Sequence, residues 1–179
     1  FHELKSRISA ADGVLVARGT AASPIVFTSA AATKEPGQWE GLYFRAVNTN
    51  SVLERCVVEY GGSRGFSDQN IWVANGAPSF LNCTIRGSRV DGLLLLASDA
   101  RVEGCQFNGN GNFAIAMRAD SLPALRRNSA SGNAGNAIGV FGFSFTRTGT
   151  WTRDEIPYTV VEDLFVSSGQ TLTLEPGTI

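Results

Sequence analysis

Short apolar runs alternate with polar turns along the whole chain. The apolar residues come in groups such as Ile25-Val26-Phe27 and Leu172-Thr173-Leu174, separated by Gly, Asn and Ser. No stretch keeps the 3.6-residue period of an amphipathic helix. The longest apolar run, residues 93–97, has the length of one strand and is far short of the roughly 20 residues of a membrane-spanning helix. The pattern therefore predicts an all-β chain with many turns.

Two ladders of positions repeat along the chain with matching spacings. In the first ladder, the spacings from Ile71 onward are 22, 22 and 23 residues, and in the second they are 27, 22 and 23. A polar insertion of about five residues within residues 61–69 accounts for the longer step. The first ladder consists of Leu42, Ile71, Leu93, Ile115 and Ile138, each with an apolar partner two residues on (Phe44, Val73, Leu95, Met117 and Val140), and the second consists of Cys56, Cys83, Cys105 and Asn128.

A period near 22 residues with several short strands per repeat predicts a β-solenoid. Successive coils would stack about 4.8 Å apart through parallel strands. One coil cannot bury its own apolar face, so the ladder residues should point inward and form continuous buried columns. A leucine-rich repeat has a similar period, but its Leu-x-x-Leu-x-Leu signature does not occur in this sequence.

Several segments resemble the right-handed parallel β-helix region of large secreted bacterial proteins, which share the pectate-lyase-like superfold. They are residues 13–29 (GVLVARGTAASPIVFTS), 38–44 (QWEGLYF) and 78–85 (PSFLNCTI). The resemblance covers about residues 13–143 and again 157–179, and it implies an all-β, right-handed parallel β-helix and a secreted or cell-surface location. It does not specify an activity, because such proteins include pectin-active enzymes, adhesins and surface proteins.

The chain is expected to have three parts. Residues 1–143 should form β-helix coils, residues 144–157 a connection, and residues 158–179 a further segment. The last of these (VSSGQTLTLEPGTI over residues 166–179) resembles the start of a following unit. This resemblance favours the interpretation that the sequence is cut from an array of tandem copies. The alternative is a single unit whose tail caps the solenoid. Either way, residues 171–174 should form a strand that joins a coil.

Charge and composition exclude some classes of partner. The 15 basic and 16 acidic residues nearly cancel, and charged residues make up only 17% of the chain. Nothing therefore indicates a nucleic-acid surface, and no segment suggests insertion into a membrane.

The residues that could carry chemistry do not assemble a catalytic or metal site, so neither a cofactor nor a metal is expected. The cysteines could form a disulfide or a zinc site, but their repeat position favours small buried side chains. Glu54 and Glu103 share a repeat position two coils apart, a separation that alone does not exclude an inverting pair of carboxylates. His2 is the sole histidine, so a His-dependent triad is not available.

An apolar patch on the outer surface is the candidate binding site. Strand alternation places residues between the two columns of the first ladder on the outside. The candidates are Tyr43, Trp72, Leu94 and Leu96, with Arg45 and Arg118 beside them. Aromatic side chains on a flat sheet can stack on sugar rings or anchor a protein. The alternative is that residues 144–179, or the loop at residues 30–38, cover this surface.

The sequence thus predicts a non-catalytic structural or adhesive module of a secreted or cell-surface protein. It would contact glycans or other surface proteins through its sheet surface and adjoin tandem copies of itself. The alternative function is a polysaccharide-processing enzyme, pectate-lyase-like or glycoside-hydrolase-like, or the scaffold part of one.

Overall fold

The computed structural model describes residues 6–45, 50–63 and 68–178. These residues form strands and turns, and none of them forms a helix of the length and apolarity needed to cross a membrane. The strands are β1 (Arg7–Ala10), β2 (Val16–Arg18), β3 (Ile25–Phe27), β4 (Gly41–Arg45), β5 (Val52–Glu54), β6 (Cys56–Glu59), β7 (Ile71–Ala74), β8 (Ser79–Leu81), β9 (Thr84–Arg86), β10 (Leu93–Leu96), β11 (Arg101–Glu103), β12 (Gln106–Asn108), β13 (Phe113–Arg118), β14 (Ala124–Arg126), β15 (Ser129–Ser131), β16 (Gly135–Phe141), β17 (Ser144–Phe145), β18 (Gly149–Trp151), β19 (Tyr158–Val160), β20 (Phe165–Val166) and β21 (Leu172–Leu174).

Equivalent strands of successive coils pair in parallel and build three faces. Face A contains β1, β4, β7, β10, β13, β16 and β19 in that order, face B contains β2, β5, β8, β11 and β14, and face C contains β3, β6, β9, β12 and β15. Two further parallel pairs, β17 with β20 and β18 with β21, belong to the last two coils. The predicted parallel solenoid is therefore confirmed.

The first ladder fills the interior behind face A. Its residues pair in register from coil to coil, as Leu42 with Ile71, Ile71 with Leu93, and so on to Ile138. All ten residues of its two columns are buried, because each inward side chain has a coil above and below it. The predicted columns are confirmed, with strand alternation visible in β10, whose four leucines are alternately buried and half-buried.

The turn between faces B and C begins at an equivalent residue in four coils. That residue has a positive φ in each of them: 49° at Arg55, 51° at Asn82, 66° at Gly104 and 53° at Arg127. The next residue points inward and is the second ladder, whose three cysteines are buried free thiols in one column. Asn128 occupies the following place, where its Nδ2 donates to the Val102 carbonyl at 3.0 Å and its Oδ1 accepts from the Cys105 N–H at 2.9 Å.

Buried polar side chains occupy the other two corners. Between faces C and A, Asn110 Nδ2 donates to Asn133 Oδ1 at 2.8 Å, and Asn110 Oδ1 accepts from the Ser88 N–H at 3.0 Å. Between faces A and B, Ser121 Oγ donates to the Leu95 carbonyl at 3.2 Å and accepts from the Ser98 N–H at 3.3 Å. These side chains satisfy backbone groups that the turns leave unpaired.

The last two coils depart from this plan. Residues 144–157, expected to be a connection, contain β17 and β18. Thr152 Oγ1 lies 3.3 Å from both N and O of Leu125, which places β18 one coil beyond β14 of face B. The chain then returns directly to face A as β19, with no strand on face C. The expected strand within residues 171–174 is confirmed as β21; that residues 158–179 open a further unit stays a prediction.

Candidate functional site on the outer surface of face A

Aromatic and apolar side chains form a column on the outer surface of face A. Tyr43 pairs in register with Trp72, and Trp72 with Leu94. Because these residues alternate with the buried columns, they point away from the core. The Tyr43 and Trp72 rings contact each other with centroids 4.6 Å apart and planes tilted by 37°. Strand pairing at the coil spacing thus brings together three of the predicted site residues.

Exposure differs along this column. Tyr43 is only 8% exposed, and the guanidinium of Arg7 lies over its ring, 5.7 Å from the centroid. Arg7 also reaches Glu40 at 3.3 Å. Trp72 and Leu94 are half-buried, so they provide more of the accessible apolar surface than Tyr43 does.

Leu96 and the two predicted arginines lie in the neighbouring outward column. Arg45 pairs in register with Ala74, and Ala74 with Leu96. Arg45 is exposed and Leu96 half-buried, so both are accessible beside Trp72. Arg118 is also exposed, but its guanidinium is held by both carboxylate oxygens of Asp120, at 2.7 and 2.6 Å. These hydrogen bonds raise the pKa of Arg118.

Phe113 extends the aromatic surface and was not predicted. The ladder between β13 and β16 shifts register between Phe113 and Ile115. This irregularity lays the Phe113 ring across the next coil, where a Cβ on Gly139 would lie 2.5 Å from the ring. Gly135 is equally close to it, and its Cβ would lie 2.6 Å from the ring. Two glycines one coil after an aromatic residue were the available sequence signal, because only glycine leaves room for the ring.

The two segments suspected of covering this surface make contacts elsewhere in the described part of the chain. The tail extends the end of the solenoid, where β19 pairs with β16 and Trp151 and Ile156 join the core. The loop at residues 30–38 binds the corner between faces C and A, where Gly37 and Gln38 donate to the carbonyls of Gly61 and Tyr60 at 3.0 Å. The prediction that the surface is partly exposed holds for Trp72, Leu94 and Leu96 and not for Tyr43.

The two carboxylates considered for catalysis are engaged in ion pairs. Glu54 and Glu103 lie two coils apart on face B with Leu81 between them, as the repeat predicts. Glu54 contacts Arg18 at 2.8 Å and Arg55 at 2.7 Å. Glu103 contacts Arg101 and Arg127, and their hydrogen bonds lower its pKa. A carboxyl group whose pKa is lowered is poorly suited to act as a general acid.

Two carboxyl groups in the described part of the chain have raised pKa values, and both accept hydrogen bonds from backbone and side-chain groups of turns. Burial raises the pKa of Asp91, whose Oδ1 accepts from Asn112 Nδ2 at 2.9 Å and from the Phe113 N–H at 3.1 Å. Burial also raises the pKa of Asp154, which accepts from Asn128 Nδ2 at 2.9 Å and the Ile156 N–H at 3.1 Å. Both groups hold turns between strands.

The cysteine column has the character of packed, unreactive thiols. Each sulfur lies 3.4–3.5 Å from a carbonyl oxygen of the preceding coil, that of Ala17, Leu53 or Phe80. Hydrogen bonding with Cys105, together with burial, raises the pKa of Cys83 to about 12. Among the residues that the structure describes, no three His, Cys, Asp or Glu side chains are grouped to hold a metal ion; His2 lies outside those residues.

A family model described as the right handed beta helix region matches residues 67–148. That stretch contains β7 to β17 and includes coils three to five. The chain is a right-handed parallel β-helix. No curated protein and no solved structure matches it. The β-helix is thus a scaffold whose outer surface on face A is its strongest candidate binding site.

Proposed function

We propose that this β-helix is a non-catalytic structural or adhesive module of a secreted or cell-surface protein. In this proposal it binds glycans through the outer surface of face A, at Trp72, Leu94 and Leu96 with Arg45 beside them. The observation that carries the proposal is the half-buried Trp72 indole in a flat apolar column, with the exposed guanidinium of Arg45 in the adjacent column.

The chemistry of this surface suits a sugar ring. The apolar face of a pyranose stacks on an aromatic ring, and a guanidinium donates hydrogen bonds to hydroxyl or carboxylate oxygens around the sugar. Trp72 lies in β7, which pairs with β4 on one side and β10 on the other. Its backbone is therefore fixed before a ligand arrives, which reduces the ordering cost of binding.

The alternative, a polysaccharide-processing enzyme, has less support. It requires carboxylates free to donate or accept a proton near a sugar, whereas Glu54 and Glu103 each contact two arginines. Both lie on face B, away from the aromatic column of face A.

Binding to a panel of immobilised glycans, with and without Trp72→Ala, tests the proposal. Removal of the indole is expected to weaken binding by at least about two- to tenfold, since stacked aromatic contacts contribute roughly 0.5–1.5 kcal/mol beyond the area that they bury. Thr84→Ala is the matched control, because Thr84 is half-buried on the outer surface of face C in the same coil. Equal binding by the Trp72→Ala protein would overturn the proposal.

The same panel separates binding from catalysis and from protein recognition. New reducing ends or unsaturated sugars released by the wild-type chain would support the enzyme. No binding to any glycan, together with Trp72-dependent binding to a surface protein, would replace the glycan with a protein partner at the same site.

A further inference from the structure

A second aromatic surface lies on the outside of face A, three strands beyond that of Trp72. The ring of Phe113 lies over β16, where a Cβ on Gly139 would be 2.5, 2.6 and 2.7 Å from three neighbouring atoms of the ring. Three such similar distances place the flat side of the ring, and not its edge, above Gly139. Gly139 is buried although it points outward, whereas Phe113 is half-buried. The ring therefore covers the sheet with one side and can meet a ligand with the other.

Phe141 enlarges this second surface. It belongs to β16, lies in the outward column next to that of Gly139, and pairs in register with Arg118. Its side chain is half-buried. The outer surface of face A thus has two apolar platforms: the tryptophan platform (Trp72, Leu94 and Leu96) and the phenylalanine platform (Phe113 and Phe141).

The strand between the two platforms has a different surface. Ala116 of β13 pairs with Leu94 on one side and with Gly139 on the other, and it is only 4% exposed. Beside it, the exposed guanidinium of Arg118 is held by Asp120 through Nε at 2.7 Å and one terminal nitrogen at 2.6 Å. Asp120 thus orients a guanidinium that keeps further N–H groups for a ligand.

The charged residues in the outward columns of β4, β7, β10, β13 and β16 are basic. The two columns contain Arg45 and Arg118 and no acidic residue; their members are Tyr43, Trp72, Leu94, Ala116 and Gly139 in one, and Arg45, Ala74, Leu96, Arg118 and Phe141 in the other. Such a surface suits a ligand with flat apolar faces and many acceptor oxygens, and sugar rings have both.

The distance between the platforms sets the length of ligand that can reach both. Trp72 lies on β7 and the Phe113 ring on β16, which are separated by β10 and β13. Three strand spacings of roughly 4.8 Å amount to about 14 Å, and a pyranose ring in an extended chain takes up about one such spacing. A chain of about four sugars therefore contacts both platforms, whereas a disaccharide contacts one.

The shape of the surface restricts the type of chain. Both platforms lie on one sheet and point in the same direction. A straight chain can therefore place one sugar on each of them. Chains joined by equatorial β-1,4 bonds are straight and flat, whereas α-1,4-linked chains curve away from a flat surface.

We propose that the ligand of face A is a straight, β-1,4-linked polysaccharide that lies along the β-helix axis, and that Phe113 is its second stacking residue. One sugar stacks on Trp72, another stacks on Phe113 farther along the chain, and Arg118 donates hydrogen bonds to oxygens between them. This inference rests on the proposed glycan binding and adds to it the direction, the length and the second anchor of the ligand.

Calorimetric titration with soluble oligosaccharides tests the inference. The probes are the disaccharides and hexasaccharides of β-1,4-linked glucose, mannose and N-acetylglucosamine. Wild type is expected to bind at least one hexasaccharide about tenfold more tightly than its disaccharide, because only the longer chain contacts both platforms. Phe113→Ala should weaken binding of that hexasaccharide by about two- to tenfold. It should change disaccharide binding by no more than about twofold, since Trp72 remains. The α-1,4-linked glucose hexasaccharide is the control ligand and should gain nothing from Phe113.

Gly139→Ala tests the position of the ring without removing it. The added Cβ would lie 2.5 Å from the ring, so the Phe113 side chain must swing off the sheet. This variant should lose as much hexasaccharide affinity as Phe113→Ala does. Gly13→Ala is the matched control, because its added methyl group meets no atom within 4 Å, and it should bind like wild type. Circular dichroism establishes that each variant is folded.

The outcomes separate this inference from the proposed function. Trp72-dependent glycan binding that Phe113→Ala leaves unchanged at both chain lengths overturns the inference alone. So does an equal loss of disaccharide and hexasaccharide binding in Phe113→Ala, or Phe113-dependent binding of the α-1,4-linked hexasaccharide. Failure of wild type to bind any of the β-1,4-linked probes also overturns the inference. Failure to bind every glycan on the immobilised panel overturns the proposed function with it.

Discussion

Leu93 and Leu174 occupy equivalent kinds of position in two different regions of the β-helix. Both are leucines in parallel strands, and both point inward, Leu93 onto Ile71 and Leu174 onto Trp151. Leu93 in the central coils is completely buried, whereas Leu174 in the last coil is 54% exposed. Leu93 has a coil on each side and Leu174 has one on a single side. In a solenoid, burial is therefore set by the neighbouring coils, and the local alternation of apolar residues is the same in both regions.

The largest expected effect comes from placing a charge at each of these positions. Leu93→Asp buries a carboxylate with no partner and should leave the chain unfolded at 25 °C. Leu174→Asp keeps its carboxylate in contact with water and should lower the free energy of unfolding by less than about 1 kcal/mol. Circular dichroism and urea denaturation at low protein concentration measure both. Equal destabilisation by the two variants would contradict the comparison.

Cysteines in the central coils and in the last coil should react with a thiol reagent at different rates. At neutral pH the raised pKa of Cys83, about 12, leaves roughly one thiol in 10⁵ ionised, and all three cysteines are buried. Wild type should therefore react slowly with a thiol reagent until it is unfolded, and should then titrate three groups. Leu174→Cys should add one rapidly reacting group in the folded protein. A titre of one in unfolded wild type would mean that a disulfide had formed.

The regular part of this architecture could be predicted from sequence because it depends on periodicity. The spacings of 22, 22 and 23 residues fix which residues stack, and the structure pairs Ile71, Leu93, Ile115 and Ile138 in that register. The cysteine column and the outward position of Trp72 follow from the same repeat. Each coil imposes nearly the same constraints on its residues, so local pattern and global fold agree.

Features that break the repeat could not be predicted in this way. The Phe113 ring lies over Gly139 because of a register shift, and periodicity gives no indication of a shift. The last coils bypass face C: Asp154 accepts a hydrogen bond from Asn128, and the chain turns directly to β19. The guanidinium of Arg7 also lies over the Tyr43 ring, a contact between coils that neither residue's position in the repeat reveals.

The asparagines at the corner between faces C and A allow a smaller comparison. Asn110 is buried and makes hydrogen bonds to Ser88, Ile85 and Asn133. Asn110→Ala leaves these groups unpaired and should lower the free energy of unfolding by about 1–3 kcal/mol. Asn136 is exposed at the end of the same stack, where its Oδ1 accepts from the N–H and Nδ2 of Asn133.

Water can take the place of the exposed Asn136 side chain but not of the buried Asn110 side chain. Asn136→Ala should therefore lower the free energy of unfolding by less than half as much as Asn110→Ala does. Urea denaturation of the two variants measures the difference. A larger loss of stability in Asn136→Ala than in Asn110→Ala would show that the asparagine stack is stabilised from its exposed end and not from its centre.

The smallest expected effect is a change in pH dependence at Asp91. Burial raises its pKa in the folded protein, so the folded state binds a proton more tightly than the unfolded state does. The resulting stabilisation is complete below the unfolded pKa of about 3.9 and is lost as pH rises through the folded pKa. Asp91→Asn removes this titration, while its side-chain oxygen can still accept from the Phe113 N–H.

The free energy of unfolding of Asp91→Asn minus that of wild type should therefore increase from about pH 4 upward and level off above the folded pKa. Glu103→Gln is the control of opposite sign. The arginines that contact Glu103 lower its pKa. The free energy of unfolding of wild type should therefore rise relative to that of Glu103→Gln as pH rises over the acidic range. Urea denaturation at closely spaced pH values gives both differences. A difference for Asp91→Asn that stays flat or decreases would mean that hydrogen bonds from Asn112 and Phe113 outweigh the cost of burying the charge. In that case, the turn before face A in the central coils would hold a carboxylate as readily as a solvent-exposed site does.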